Sequence, residues 1–246
     1  MREPYDVTSY FEFLGYGRGD QTYHCADLTS VIAYFRGDEA QLEELLRPTP
    51  FTLADDRFAV SIADFTRNSG ATYIDAAVIL AVRYGDLVGG TYYHEFEDKH
   101  GSVAGGRELW GYPKRYAKIC FEADAHGARA DVSNEGASLF SLDFTFDDTV
   151  DGSGWAGLSL YPHLQVRAVP QYDGPTFQSF DILSRDTSKD YVLKTRRYGR
   201  GAVRFGAALA VAGQPLHAVP LGAELTVGDY ASTAANGVPT HVAALV

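Results

Sequence analysis

The stretch from Gly105 to Arg115 reads GGRELWGYPKR and combines a short amphipathic segment with an abrupt stop. The segment ends at a Gly-Tyr-Pro break, because the ring of Pro113 fixes its own φ and disfavours helical geometry at Tyr112. Lys114 follows this break directly and stands where an apolar strand is predicted to begin. The sequence therefore predicts a rigid corner that holds Lys114 in a defined position.

Lys114 is the candidate nucleophile of the chain. A lysine amine attacks a carbonyl group only when it is unprotonated, and an ordinary lysine with a pKa of about 10.4 is almost fully protonated at neutral pH. Apolar surroundings or a neighbouring cation lower the pKa of an amine. The sequence offers both, because Trp110 and Tyr112 are close along the chain and Arg115 is a permanent adjacent cation. The alternative is a solvated lysine at the start of a strand, the usual environment of this residue.

Two blocks of sequence resemble the acetoacetate decarboxylase superfamily. The first is GGRELWGYPKRYAK, where members of the superfamily carry Gly-Arg-Glu, then Tyr-Pro or Phe-Pro, and then the lysine that forms a Schiff base. The second runs from Pro162 to Gly174 and is similar to a later strand of the family that ends in Pro-x-Tyr-Asp-Gly. Weaker likeness at both ends extends the resemblance over most of the chain, so residues 1–246 are interpreted as one domain.

The resemblance implies a fold, a reaction type and a set of partners. It implies that Lys114 points into an apolar cavity and that its amine forms an imine with the ketone of a small keto acid. It implies no cofactor and no metal, and it suggests a homo-oligomer.

Further candidate site residues are found at positions that match the family pattern and at positions that differ from it. Asp75 matches an acidic position of the family, and Glu108 lies in the signature itself, although a strand irregularity and a turn are alternative explanations for them. The family's early-strand arginine, which receives the substrate carboxylate, has no counterpart between residues 23 and 28. A glutamate of the next strand aligns with Ser61 or Val60, and Glu95 replaces an apolar methionine that faces the lysine. Glu95 is thus a candidate acid or base, or else a solvated strand residue. The other candidates for the pocket or for proton transfer are Arg115, Trp110, Tyr112, His94 and Tyr230.

Bulk composition narrows the class of protein. The formal net charge is -11, with 32 acidic and 21 basic side chains, which disfavours nucleic acid and anionic membrane surfaces as partners. Two cysteines give no disulfide framework, and no apolar run approaches the roughly 20 residues of a membrane-spanning helix. The N-terminus lacks a signal-peptide pattern, so a cytoplasmic protein is expected.

One helix is predicted with its boundaries. Asp38 suits an N-cap with Gln41 as its capping-box partner, and leucines at 42, 45 and 46 fall on one helical face before Pro48.

Strand patterns dominate the rest of the chain. In residues 72–84 both alternating sets are largely apolar, which indicates a strand buried on both faces, where Asp75 requires a partner. Many strands and few helices predict an α+β, predominantly β fold, built as a barrel or large curved antiparallel sheet. The predicted strands are 28–35, 58–63, 72–84, 91–97, 116–123, 127–133, 137–146, 157–169, 190–196, 202–212 and 222–228.

Three functions remain open from the sequence. The first is a Schiff-base lyase, either a β-keto acid decarboxylase or an aldolase-dehydratase or cyclase acting on a 2-oxo acid such as pyruvate. The second is a catalytically silent relative that binds a small carbonyl compound. The third is a metal-dependent hydrolase using His94, Glu95, Glu97, Asp98 and His100, although strand alternation separates those histidines from Glu95 and Glu97.

Overall fold

The structure, a computed structural model, describes residues 9, 14, 23–232 and 237–246. Within these residues the chain forms thirteen β-strands and two α-helices, with three short 3₁₀ turns. The helices are α1 (Glu39–Leu46) and α2 (His100–Trp110). The strands are β1 (Tyr23–Arg36), β2 (Thr52–Asp64), β3 (Ile74–Tyr84), β4 (Leu87–Glu97), β5 (Lys114–Tyr116), β6 (Lys118–Ala123), β7 (Gly127–Asn134), β8 (Ala137–Phe146), β9 (His163–Pro170), β10 (Phe177–Arg185), β11 (Tyr191–Phe205), β12 (Val219–Ser232) and β13 (Thr240–Ala244).

All thirteen strands belong to one curved sheet. Its order is β13-β10-β9-β4-β3-β2-β1-β12-β11-β8-β7-β6, and β5 pairs beside β4. The pairings are antiparallel except for β4 with β5 and a single contact of β4 with β9. Because the order starts and ends on different strands, the sheet is not closed into a barrel. The prediction of a predominantly β fold built on a large curved sheet is confirmed.

The helix predicted after residue 38 forms as expected. The side chain of Asp38 accepts a hydrogen bond from the backbone N–H of Gln41 at 3.0 Å, which satisfies an otherwise unpaired donor of the first turn. The three leucines of its apolar face are buried in the main core.

The two faces of the sheet bury different side chains. One face carries the main hydrophobic core, which includes Phe35, Phe58 and Phe140. The opposite face carries a smaller cluster formed by Tyr34, Ala59, Ala77 and Ile79. Strand β3 contributes to both clusters, which confirms that it is buried on both sides. Its polar residue, Asp75, lies on the face of the smaller cluster.

The strand predictions are wrong between residues 190 and 212. Separate strands at 190–196 and 202–212 are predicted there, but β11 runs without a break from Tyr191 to Phe205 through Gly199 and Gly201. A Cβ at Gly199 would lie 2.1 Å from the carbonyl oxygen of Thr145, and one at Gly201 would lie 2.6 Å from Cβ of Ala33. These glycines therefore permit close packing inside a strand.

Other boundaries also differ from the predictions. Strand β9 begins at His163 rather than near residue 157, and β10 and β13 were not predicted, because their sequences mix polar and apolar residues without clear alternation. Helix α2 begins five residues before the amphipathic segment at Gly105, in a glycine-rich stretch with low helix propensity.

Two further findings concern the class of protein. Both cysteines are free, Cys25 buried and Cys120 exposed. Among the described residues, no helix combines the length and the apolar composition required to cross a membrane.

Candidate active site

The corner before Lys114 is built from a helix end and a glycine. Helix α2 ends at Trp110, and Gly111 follows in the left-handed conformation with φ 74°. A Cβ at Gly111 would lie 2.8–3.0 Å from backbone atoms of Val166 and Arg167, so glycine is required both by its φ and by its packing. The chain then enters β5, which starts at Lys114.

The amine of Lys114 lies among three carboxylates. Its Nζ donates a hydrogen bond to Oε1 of Glu97 and lies 3.3 Å from Oε1 of Glu95 and 3.8 Å from Oδ2 of Asp75. Lys114 is only 7% exposed, and the three acidic residues are likewise buried. We call Asp75, Glu95 and Glu97 the acidic cluster.

Strand register brings this cluster together. Glu95 of β4 is opposite Lys114 of β5 and Ala77 of β3, while Glu97 of β4 is opposite Asp75 of β3. Residues two apart in a strand share a face of the sheet, so all four charged side chains emerge on the same side. The sequence predicts that Asp75, if buried, needs a partner. In the structure this partner is Lys114.

A β-bulge at Tyr93 changes which neighbours share this face. The pairing of β3 with β4 shifts there, so that Tyr92 is opposite Ile79 while Glu95 is opposite Ala77. Tyr92 therefore lies on the same face of the sheet as Glu95. Strict alternation of side chains between the two faces, expected for a strand over residues 91–97, is wrong before the bulge.

The acidic cluster raises the pKa of Lys114. Burial acts to lower the pKa of this amine, but Glu95, Glu97, Tyr73 and Asp75 together outweigh burial and hold the pKa well above its ordinary value. The expectation of a lowered lysine pKa is therefore wrong for the resting site.

Burial also raises the pKa of two members of the acidic cluster. Burial raises the pKa of Asp75 to about 6, opposed by the nearby Lys114. Burial likewise holds the pKa of Glu95 well above its ordinary value, and the charges of Asp75 and Glu97 add to the effect. Since Oε2 of Glu95 and Oε2 of Glu97 are buried and have no hydrogen-bond partner among the described residues, the cluster keeps free oxygen atoms beside the amine.

Arg115 and His94 do not contact the amine. Arg115 is opposite Phe96 in β4, so its side chain lies on the other face of the sheet, 5.0 Å from the Phe96 ring. Its Nη2 is 2.6 Å from Nδ1 of His94, and burial together with Arg115 lowers the pKa of His94 to about 4. The prediction that Arg115 acts as the neighbouring cation of Lys114 is wrong, because adjacent strand residues point to opposite faces.

Aromatic rings complete the surroundings of Lys114. Its Nζ lies 5.5 Å from the ring centroid of Tyr73 and 5.6 Å from that of Tyr112. The Tyr112 hydroxyl forms a 2.8 Å hydrogen bond with Nδ1 of the buried His163. Burial lowers the pKa of His163 to about 3, so this imidazole is neutral and orients the tyrosine.

The remaining predicted residues occupy different positions. Ser61 is buried and opposite Ala77, on the face of the cluster. Tyr230 and Trp110 both contact Arg185, a buried arginine that the sequence did not single out. The Glu108 side chain is exposed, and its backbone carbonyl accepts a hydrogen bond from Arg167. Glu108 is therefore a structural residue of the corner.

Glu97 contacts Lys114, but the sequence did not identify it as a residue of a Schiff-base site. The sequence suggested it only as a ligand in the metal-hydrolase hypothesis. Its position two residues after Glu95 on the same strand is the signal that identifies it, because that spacing repeats the face of a strand.

The acidic cluster also has the spacing of a cation site. One oxygen atom from each of the three carboxylates lies within 4.8 Å of the others. The ammonium of Lys114 lies among these oxygens and already balances part of their charge. The histidines of the metal-hydrolase hypothesis are not part of the cluster, since the ring of His94 contacts Arg115 on the opposite face and the ring of His100 stacks on Tyr116.

An open cleft of about 480 Å³ reaches the lysine. Its walls include Lys114, Thr91, Gln165 and His94, but none of the three carboxylates. The cleft therefore leads to Lys114 without enclosing its acidic partners.

Gly106 provides a test of how tightly the amine is positioned. A Cβ at Gly106 would lie 2.3 Å from Cδ and 2.5 Å from Cε of Lys114, so Gly106→Ala is expected to push the amine away from the acidic cluster. A misplacement of about 1 Å can reduce a reaction about 10²-fold, and we expect a loss of this order in covalent trapping of ketones by borohydride. Gly101→Ala, in the same helix with open space around it, is the matched control. Equal trapping by the two variants would contradict this prediction.

Comparison with known proteins identifies the family. The family model described as Acetoacetate decarboxylase (ADC) matches residues 15–239. An acetoacetate decarboxylase of Acidiphilium cryptum strain JF-5 is 33% identical over 95 residues, and this alignment spans 38% of this chain and 38% of that protein.

Solved structures share the fold. The acetoacetate decarboxylase of Legionella pneumophila has a TM-score of 0.76 at 18% identity, over 92% of this chain and 89% of that one. The enduracididine biosynthesis enzyme MppR, solved in complex with pyruvate, has a TM-score of 0.63 at 14% identity, over 89% of this chain and 92% of that one. The family match over nearly the whole chain and the shared fold lead to one conclusion: the chain belongs to the acetoacetate decarboxylase family.

Proposed function

We propose that the chain is a lyase in which Lys114 forms an imine with the ketone of a small keto acid. The observation that carries the proposal is a buried amine in contact with three buried carboxylates, of which Glu97 accepts its hydrogen bond. Family membership supports the same chemistry. A surface lysine would have neither the burial nor these partners.

Imine formation requires that the amine lose a proton and the ketone lose its oxygen. Lys114 transfers a proton from Nζ to Oε1 of Glu97, and the neutral nitrogen attacks the ketone carbon. Glu97, which now carries this proton, returns it to the hydroxyl group of the resulting carbinolamine. Water leaves, and the product is a protonated imine. Its positive charge replaces that of the ammonium within the acidic cluster.

The protonated imine is an electron sink for a bond at the neighbouring carbon. If the C–C bond to a carboxylate breaks, carbon dioxide leaves, the bonding electrons form an enamine, and the enamine takes a proton at carbon to give an imine. If a C–H bond breaks, Glu95 takes the proton and an enamine forms. The enamine then attacks an aldehyde, and the resulting aldol adduct, again an imine, loses water. Hydrolysis of the imine regenerates Lys114 in both cases.

The geometry favours the second branch, an aldolase-dehydratase acting on a 2-oxo acid. This branch needs a positioned acid and base at several steps, and Glu95, Glu97 and Asp75 supply three carboxylates around one nitrogen. The fold likeness to MppR, a protein solved with pyruvate, is consistent with it. Decarboxylation of a β-keto acid is the second candidate, because relatives that align with this chain in sequence include acetoacetate decarboxylases.

Glu95→Gln separates the two branches. We expect this change to lower aldol condensation of pyruvate with an aldehyde about 10²-fold, since an amide cannot transfer protons, and to affect release of carbon dioxide from acetoacetate far less. Product formation is measured for both reactions by mass spectrometry. Glu122→Gln, an exposed glutamate of β6, is the control. An equal loss of both activities would argue against the assignment of Glu95 to proton transfer.

A further inference from the structure

Arg185 is a buried cation that imine formation at Lys114 does not use. It ends β10, and only 9% of its surface is exposed. Its Nη2 contacts Asp190 Oδ2 at 3.1 Å, the Tyr230 hydroxyl at 3.1 Å and Ser232 Oγ at 2.9 Å. The guanidinium lies 5.3 Å from the centroid of the Trp110 ring.

Part of the hydrogen-bonding capacity of Arg185 is unused among the described residues. A guanidinium has five N–H donors. Its Nη2 donates to Asp190, Tyr230 and Ser232, and the guanidinium also interacts with the Tyr112 hydroxyl. The Nε atom is buried and has no hydrogen-bond partner among those residues. Buried donors are normally paired, so an arginine held in place with open donors is typical of a ligand site.

Aromatic side chains connect Arg185 to the amine on two sides. On one side Tyr112 contacts Lys114 through its ring, and burial raises the Tyr112 pKa while the nearby Arg185 acts to lower it. On the other side Tyr230 packs edge-on against Phe65 at 5.6 Å, Phe65 stacks on Tyr73 at 4.9 Å, and Tyr73 faces Lys114. Aromatic contacts therefore link the surroundings of the two cations.

We propose that Arg185 receives the carboxylate of the keto acid whose ketone reacts with Lys114. This inference rests on the proposed function and adds the residue that selects acids over neutral ketones. A planar carboxylate matches the fork of donors on a guanidinium. Arg185 also offsets the repulsion that the acidic cluster exerts on an anionic substrate, and Tyr230, Ser232 and Asp190 fix its orientation.

The test compares each acid with its methyl ester. Pyruvate and methyl pyruvate, and acetoacetate and methyl acetoacetate, are trapped on the protein with borohydride, and intact mass gives the concentration for half-maximal labelling. In the wild-type protein we expect at least one acid to label at a concentration about tenfold or more below that of its ester. In Arg185→Met the concentration for half-maximal labelling by the acid should rise about 10–100-fold, which is the range expected for a lost charge-assisted hydrogen bond. The corresponding concentration for the ester should rise less than about threefold. Arg204→Met, a surface arginine paired with Asp143, is the control.

Two additional variants keep the outcome interpretable. If Arg185→Met does not fold because Asp190 is left buried without its cation, Arg185→Met with Asp190→Asn removes that charge. If the wild-type protein is labelled by none of the probes, imine formation fails, and pyruvate binding to Lys114→Met with and without Arg185→Met, measured by calorimetry, tests Arg185 separately. The inference is overturned if neither acid is preferred over its ester, if Arg185→Met weakens acid and ester equally, or if pyruvate binding does not depend on Arg185.

Discussion

Replacing Lys114 with methionine is expected to abolish turnover and borohydride trapping, a loss of about 10⁴-fold or more. Methionine keeps the length and apolar character of the side chain but cannot form an imine. Lys114→Arg should be equally inactive, because it restores the positive charge inside the acidic cluster without a nucleophilic amine. Retained labelling in either variant would contradict covalent catalysis at this position. Lys118→Met, at an exposed lysine of β6, is the control and should label like the wild-type protein.

The same variant should be less stable, in a manner that depends on pH. Removing one partner of a buried ion pair costs about 3–5 kcal/mol when the remaining charge stays uncompensated. The pKa values of Asp75 and Glu95 are already raised by burial, so these groups can bind protons in the folded state when Lys114 is absent. An acid with a raised pKa in the folded state loses its stabilising contribution as pH rises through that pKa. Thermal unfolding should therefore show a larger deficit of Lys114→Met at about pH 8 than at about pH 5.

Glu97→Gln is expected to have the second largest effect on activity. The change should make Lys114 easier to deprotonate, but it should also remove the base that the reaction needs. The carboxylate accepts the hydrogen bond of Lys114 and helps to raise the pKa of the amine. Its loss should lower the lysine pKa, so the rise of imine formation with pH should move to lower pH. Turnover should nevertheless fall about 10²–10³-fold, because the base that takes the proton from Nζ is gone.

The pH profile distinguishes this role from simple packing. Labelling by pyruvate and borohydride is measured from about pH 6 to pH 10 in the wild-type protein, Glu97→Gln and the surface control Glu122→Gln. A loss of labelling with an unchanged profile would mean that Glu97 only supports the fold of β4.

Much of the fold could be predicted because local rules and packing agree. The capped helix α1 and the doubly buried strand β3 follow from patterns that the tertiary structure does not override. The predictions fail around Gly199 and Gly201, where glycine permits a neighbouring strand to approach closely, because a sequence pattern cannot tell a packing glycine from a turn glycine.

By itself the sequence determined the corner that carries Lys114, since proline fixes its own φ and glycine permits the left-handed conformation that ends a helix. It also indicated that a buried Asp75 needs a partner, because an unpaired charge in an apolar strand is costly.

Only the tertiary structure decided which charges meet. Strand register directs Arg115 away from the amine and brings Glu97 onto it, and the end of β10 places Arg185 beside the Trp110 ring. The bulge at Tyr93 reverses the alternation of the preceding residues. These outcomes depend on pairings between segments distant in the chain, and a one-residue shift in any of them would turn a side chain to the opposite face of the sheet.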